Sequence, residues 1–123
     1  MAHILLAEDE AALRNNLARY LQSLGHDVRT ASNGNEAMAQ LEASPPDVLI
    51  TDINMPDKDG IEILAALRKR GSSMPVIAIS GGGQFHKELL LNSAMMLGAV
   101  LTLQKPFALD ELRAALECVL DTE

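Results

Sequence analysis

The chain has 123 residues, 48% hydrophobic and 22% charged, with eight Gly and five Pro, the size and composition of one globular domain rather than of a disordered segment. Ten Lys and Arg against 17 Asp and Glu give a net charge of −7, and aromatics are 2% of residues with no Trp, which excludes the basic surface and the stacking platforms of a nucleic-acid binder. No apolar run reaches the roughly 18 to 20 residues of a membrane span, and the Met1-Ala2-His3 start lacks a signal peptide's regions.

A cytoplasmic protein is therefore expected, a single domain over residues 1–123 with no output domain, binding neither nucleic acid nor membrane. The lone Cys118 excludes an internal disulfide and a cysteine metal cluster, and it reads as a small buried hydrophobe on the last helix.

Five short apolar runs alternate with amphipathic stretches, the pattern of βα units around a parallel sheet. The first strand spans Ile4 to Ala7 and runs into Glu8, Asp9 and Glu10. Leu13, Leu17, Leu21 and Leu24 then recur at helical spacing until Gly25, a left-handed stop. A strand from Asp27 to Ala31 is followed by a helix from about Asn35 through Ala37, Met38 and Leu41, which Pro45-Pro46 ends. The third strand, Val48 to Thr51, leads into Asp52, and the third helix carries the stripe Ile61, Leu64 and Leu67, with Asp59 or Gly60 before it and Gly71 after it. Val76 to Ser80 is the fourth strand, and a fourth helix of about Phe85 to Leu97 closes at Gly98. Val100 to Leu103 is the fifth strand. After Pro106, Leu109, Leu112, Leu116 and Val119 mark the buried face of a fifth helix.

In an open α/β sheet the ligand site lies beyond the carboxyl ends of the strands, and this sequence places polar residues there: Glu8, Asp9 and Glu10 after the first, Asp52 after the third, Ser80 at the end of the fourth, Lys105 after the fifth. Glu10 alone reads as a solvated or helix-capping acid. The others converge with no packing need for them. Oxygen ligands gathered at one point suit a hard cation such as Mg²⁺, which keeps several waters and completes its shell with phosphate oxygens. With Lys105 and Ser80 such an ion would hold the equatorial oxygens of a phosphoryl group in transfer, and one carboxylate could be the nucleophile, forming a reactive acyl phosphate.

Two motifs mislead. Met55-Pro-Asp57-Lys-Asp59-Gly60 looks like the middle of a calcium loop, but the first ligand position holds Met55 and the twelfth falls on Ala66. Ser80-Gly-Gly-Gly83 lacks the third Gly of a dinucleotide fingerprint, since His86 stands there, and reads as a loop whose bare amides can close over a phosphoryl group. His3, His26 and His86 have no metal-ligand spacing and read as surface or loop residues.

The stretches Ile4-Leu-Leu-Ala-Glu8-Asp9-Glu10, Pro46-Asp-Val-Leu-Ile-Thr-Asp52-Ile-Asn54-Met55-Pro56 with Gly60, Pro75-Val-Ile-Ala-Ile-Ser80-Gly81, Gly98-Ala99 and Lys105-Pro106-Phe107 together resemble the receiver domain of bacterial response regulators, over the whole chain. The resemblance implies a flavodoxin-like (βα)5 doubly wound α/β fold, five parallel strands in order 2-1-3-4-5 with helices on both faces. It implies Asp52 as phosphoacceptor, Asp9 as a direct Mg²⁺ ligand, Glu8 as an acidic partner reaching the metal through water, and Asn54 as the donor of a backbone carbonyl. Ser80 becomes the hydroxyl that swings to the phosphoryl group, Lys105 the cation that pairs with it, and Lys105-Pro106 a cis bond. Such a protein is a stoichiometric phosphoacceptor and not an enzyme, open to autophosphatase hydrolysis. It takes its phosphoryl group from a histidine kinase or histidine phosphotransfer protein. It signals to a downstream protein, or by self-association, through the fourth helix, fifth strand and fifth helix, where Leu89, Met95 and Met96 are left over on the fourth helix.

Two positions depart from the family pattern: Glu8 replaces the usual Asp, and Thr102 stands where many receivers carry the Tyr or Phe that rotates inward on activation. A non-phosphorylated pseudo-receiver and a small aspartate-based phosphatase are the rival readings, the latter disfavoured because so short a chain has no cap or insertion to build a substrate pocket.

Overall fold

A computed structural model describes residues 1–53, 60–80 and 101–120, and among these not the side chains of Gly60 and Ile61. The expectations for Asn54, for the Gly81 to Gly83 loop and for the fourth helix, with Leu89, Met95 and Met96, fall outside the described residues. In chain order the elements are β1 (His3–Ala7), α1 (Ala11–Ser23), β2 (Asp27–Ala31), α2 (Gly34–Ala43), β3 (Val48–Asp52), α3 (Gly60–Lys69), β4 (Val76–Ser80), β5 (Leu101–Gln104) and α4 (Leu109–Leu120). The last is the fifth amphipathic stretch of the sequence.

The five strands form one parallel sheet in the order β2-β1-β3-β4-β5, as the resemblance implied. Its register aligns Ala7 with Thr51, Asp52 with Ile79 and Ser80 with Gln104. Successive side chains of a strand face opposite ways, so each apolar run feeds two cores. Leu5, Ala7, Leu49 and Ala78 pack with Ala37, Met38 and Leu41 of α2 and Ile63, Leu64 and Leu67 of α3. Ile4, Leu6, Val48, Ile50, Ile77 and Ile79 pack with Leu17 and Leu21 of α1 and Leu112, Ala115, Leu116 and Val119 of α4. The inner strands β1, β3 and β4 are covered on both faces, which is why they read as unbroken apolar runs.

The local stops are as the punctuation indicated: Gly25 has φ 95° and Gly71 φ 71°, the left-handed conformation a helix end favours glycine for. At the start of α2, Asn33 Oδ1 accepts from Glu36 N at 2.8 Å, and Glu36 reaches back to the backbone N–H of Ser32 (2.8 Å) and its hydroxyl (2.9 Å), a variant of the reciprocal capping box.

Three expectations are corrected. Leu24 is 37% exposed: α1 stops at Ser23, and the Leu24 N–H turns back onto the Leu21 carbonyl, so the helical spacing no longer aims its side chain at the sheet. Leu109, the first residue of α4, is 43% exposed, and the inward stripe begins at Leu112. Cys118 is exposed rather than buried, because the stripe of α4 runs through Ala115, Leu116 and Val119 and leaves its neighbour on another side.

Candidate functional site

The site sits at the carboxyl edge of the sheet, where β1 and β3 end side by side. Glu8 follows β1 directly and its backbone N–H donates to the Ala31 carbonyl at 3.0 Å, extending the β1–β2 ladder by one residue and fixing the carboxylate's origin. Asp52 is the last residue of β3, held from the next strand by the Ile53 N–H, which donates to the Ile79 carbonyl at 2.8 Å. Both are core positions in terms of solvent: Glu8 is 0% and Asp52 3% exposed. Asp9, one residue further, is exposed. The carboxylates of Glu8, Asp9 and Asp52 offer oxygens within 4.8 Å of one another.

Lys105 enters from the loop after β5. Its backbone N–H donates to the Ser80 carbonyl at 2.8 Å, and its Nζ reaches Asp52 Oδ2 at 2.8 Å and Glu8 Oε1 at 3.0 Å. The first contact is a hydrogen bond; the second is an ion pair without hydrogen-bond alignment. Glu8 Oε2 accepts from the Glu10 N–H at 3.0 Å. The Lys105-Pro106 peptide is cis, as expected. Ser80 Oγ is buried and has no hydrogen-bond partner among the described residues, although a buried hydroxyl ordinarily finds one.

The electrostatics follow from burial. Removal from water raises the Glu8 pKa to about 7, against the Glu10 N–H and Lys105, which favour its charge, while the Asp52 charge adds to the rise. For Lys105 burial works against the ammonium, but its contacts with Asp52 and Glu8 outweigh that and raise its pKa above the ordinary value. With all groups ionised, three carboxylates face one ammonium, and a divalent cation would cancel the excess. The donor set is all oxygen, partly buried, and open to water at Asp9, which fits Mg²⁺ with part of its hydration shell retained.

One residue sequence reasoning missed is Arg14. From the first turn of α1 its Nη1 donates to the carbonyls of Glu8 (2.9 Å) and Asp9 (3.4 Å). A cation in the first helical turn, where the dipole disfavours it, is the signal that was available. Beside the site, a groove of about 890 Å³ runs between α1 and the loop into α4, lined by Leu13, Tyr20, Lys105, Phe107 and Leu109 among others; the exposed Leu109 belongs to its wall.

The fold is shared with known proteins, and the comparison makes the family specific. The family model of the response regulator receiver domain matches residues 4–117. The chain is 33% identical over 117 residues to the response regulator MprA of Mycobacterium avium (strain 104), covering 95% of this chain and 50% of MprA. It is 36% identical over 113 residues to the sensor protein EvgS of Escherichia coli (strain K12), covering 92% of this chain and 9% of EvgS. The crystal structure of the receiver domain of NtrX from Brucella abortus superposes with a TM-score of 0.88 at 32% identity, over 98% of this chain and 99% of that one. The chain belongs to the response regulator receiver domain family of two-component signalling. It spans half the length of MprA. Receivers of this family are generally non-catalytic phosphoacceptors that bind Mg²⁺ at an acidic pocket and act with histidine kinases or phosphotransfer proteins. No helix among the described residues is long and apolar enough to cross a membrane.

Proposed function

We infer that this chain is a Mg²⁺-dependent phosphoryl switch whose acceptor is Asp52, with Glu8 and Asp9 holding the metal alongside Asp52 and the Asn54 carbonyl. The observation that carries this reading is the Lys105 Nζ at 2.8 Å from Asp52 Oδ2, beside a partly buried carboxylate cluster. In the transfer, an Asp52 carboxylate oxygen bonds to phosphorus as the phosphorus–nitrogen bond of a phosphohistidine breaks. The bonding pair stays on the imidazole, which takes up a proton. Mg²⁺ supplies charge neutralisation of the phosphoryl oxygens and of the crowded carboxylates.

The chain's own residues do the rest. Asp52 is aimed by the β3–β4 ladder, Lys105 can turn from the carboxylate it now pairs with to a phosphoryl oxygen on it, and the buried, unsatisfied Ser80 hydroxyl gains the acceptor it lacks among the described residues. Water reaching the acyl phosphate would return the free carboxylate as autophosphatase hydrolysis. The apolar groove beside Lys105 offers a donor protein a surface next to the acceptor. Output leaves by protein contact or self-association through the face of the fourth helix of the sequence, β5 and α4.

Incubation with acetyl phosphate and Mg²⁺ tests the reading: the expected result is one acid-labile phosphate per chain, lost in Asp52→Asn and in EDTA. Equal labelling of the variant removes Asp52 as acceptor, no labelling points to a pseudo-receiver, and rapid multiple turnover to a phosphatase.

A further inference from the structure

Resting on that reading of the site, we propose that Arg14 is a positioning residue for the metal pocket: its guanidinium clamps the two backbone carbonyls that carry the Glu8 and Asp9 side chains. The three carboxylates are unequally held. Asp52 is fixed within β3 and by Lys105, and Glu8 by its bond to Ala31, the Glu10 N–H and Lys105. Asp9 is exposed, lies outside the sheet, and among the described residues no side-chain partner is recorded for its carboxylate. What holds its backbone is Arg14 Nη1, donating to the Glu8 carbonyl at 2.9 Å and, at a longer 3.4 Å, to its own.

The placement costs α1 something. Glu10 caps that helix without a side-chain hydrogen bond, and no acid lies in the first turn, so within that turn a cation stands where the dipole disfavours it. Arg14 is half-buried, and one nitrogen at the far end of its long side chain, Nη1, reaches both successive carbonyls. Partners that hold metal ligands from behind typically contribute about 10- to 100-fold in metal affinity. A hard cation with strict geometry is sensitive to where its exposed ligand stands.

The test is Mg²⁺ titration by isothermal calorimetry on the parent chain, Arg14→Ala and Arg14→Lys, with acetyl phosphate labelling rates measured across Mg²⁺ concentration. Loss of the clamp is expected to weaken Mg²⁺ binding about tenfold while the labelling rate at saturating Mg²⁺ returns to within about twofold of the parent, since Asp52 and Lys105 are untouched. Arg14→Lys, which keeps the charge but ends one bond short of where Nη1 stands, is expected to lose most of that affinity as well, and serves alone if the alanine variant does not fold. Parental affinity in either variant overturns the proposal, as does a labelling rate that stays low at saturating metal. If the parent chain itself binds no Mg²⁺, the reading of the site fails and the proposal with it, an outcome distinct from a parent that binds and a variant that binds equally well.

Discussion

Lys105 reaches Asp52 at 2.8 Å and Glu8 at 3.0 Å with one ammonium group, so the strand-end cation serves two buried carboxylates at once. Removing one partner of such a cluster leaves uncompensated charge in the interior, which typically costs about 3 to 5 kcal/mol. Lys105→Met, which keeps the apolar stem, is expected to lose about 3 kcal/mol of stability in metal-free buffer by urea denaturation. Millimolar Mg²⁺ should restore much of it, as a ligand of the native state does. An unchanged midpoint without metal would show that the ammonium does not offset the carboxylates.

The Glu8 carboxyl, raised by burial to about 7 from 4.5, links stability to pH. The native state keeps its proton where the unfolded chain has lost it, so its contribution is fully present below about 4.5, and fades as pH rises to about 7 and beyond. In EDTA the parent chain is expected to be less stable at about pH 8 than at about pH 5, by up to about 3 kcal/mol from this group. Glu8→Gln should flatten that slope. Mg²⁺ binding, which favours the ionised carboxylate, should weaken as pH falls through about 7. A variant with the parent's slope would assign the linkage to other groups.

Ser80 Oγ is buried with no partner among the described residues, a situation that costs an unphosphorylated protein about 1 to 3 kcal/mol. Ser80→Ala is expected to melt at the parent's temperature or higher. Its response to beryllium fluoride, read as the change in backbone amide NMR shifts at the ends of β4 and β5, should be smaller. A destabilised variant that responds in full would mean that the hydroxyl serves the resting state instead.

Away from the site, Asn33→Ala removes the side-chain oxygen that accepts from Glu36 N and is expected to cost about 1 kcal/mol by chemical denaturation. Acetyl phosphate labelling of Asp52 should be unchanged. A cost near zero would mean that the Glu36 to Ser32 bonds carry the cap alone.

Much of this was legible in the residues because mostly apolar strands run into acidic residues: Glu8 after Ala7 and Asp52 after the run Val48 to Thr51 locate two thirds of the carboxylate cluster without any coordinates. Strand limits fell within a residue, with His3 and Asp52 joining their strands and β5 running from Leu101 to Gln104. The strand order came from family resemblance, since periodicity carries no information on which parallel strands are neighbours. Helix faces were less secure at their ends. Leu24 and Leu109 keep the leucine spacing, but each lies where the chain is leaving or entering the helix, and Ile63 was overlooked because Ile61, Leu64 and Leu67 already completed a stripe. The double pairing of Lys105 depends on a contact across 97 positions of sequence, which no local pattern records, whereas Arg14, six positions from Glu8, was marked only by being a cation in a first helical turn.

The sheet is also a partition. Leu5 and Leu6 are adjacent in the chain, yet one lies among α2 and α3 and the other among α1 and α4, so neighbours in sequence answer to different surroundings. Among the described residues the two sides form separate core clusters, so packing defects on them are expected to combine close to additively. The α1–α4 side, which walls the groove, can therefore be rebuilt without loosening the α2–α3 side. Both halves still hang from the same strand termini, so a change that slid β3 against β1 would move the acceptor and disturb both compartments together. Such a molecule can vary its two outer coats separately while the reaction centre stays pinned to the lattice of hydrogen bonds between them.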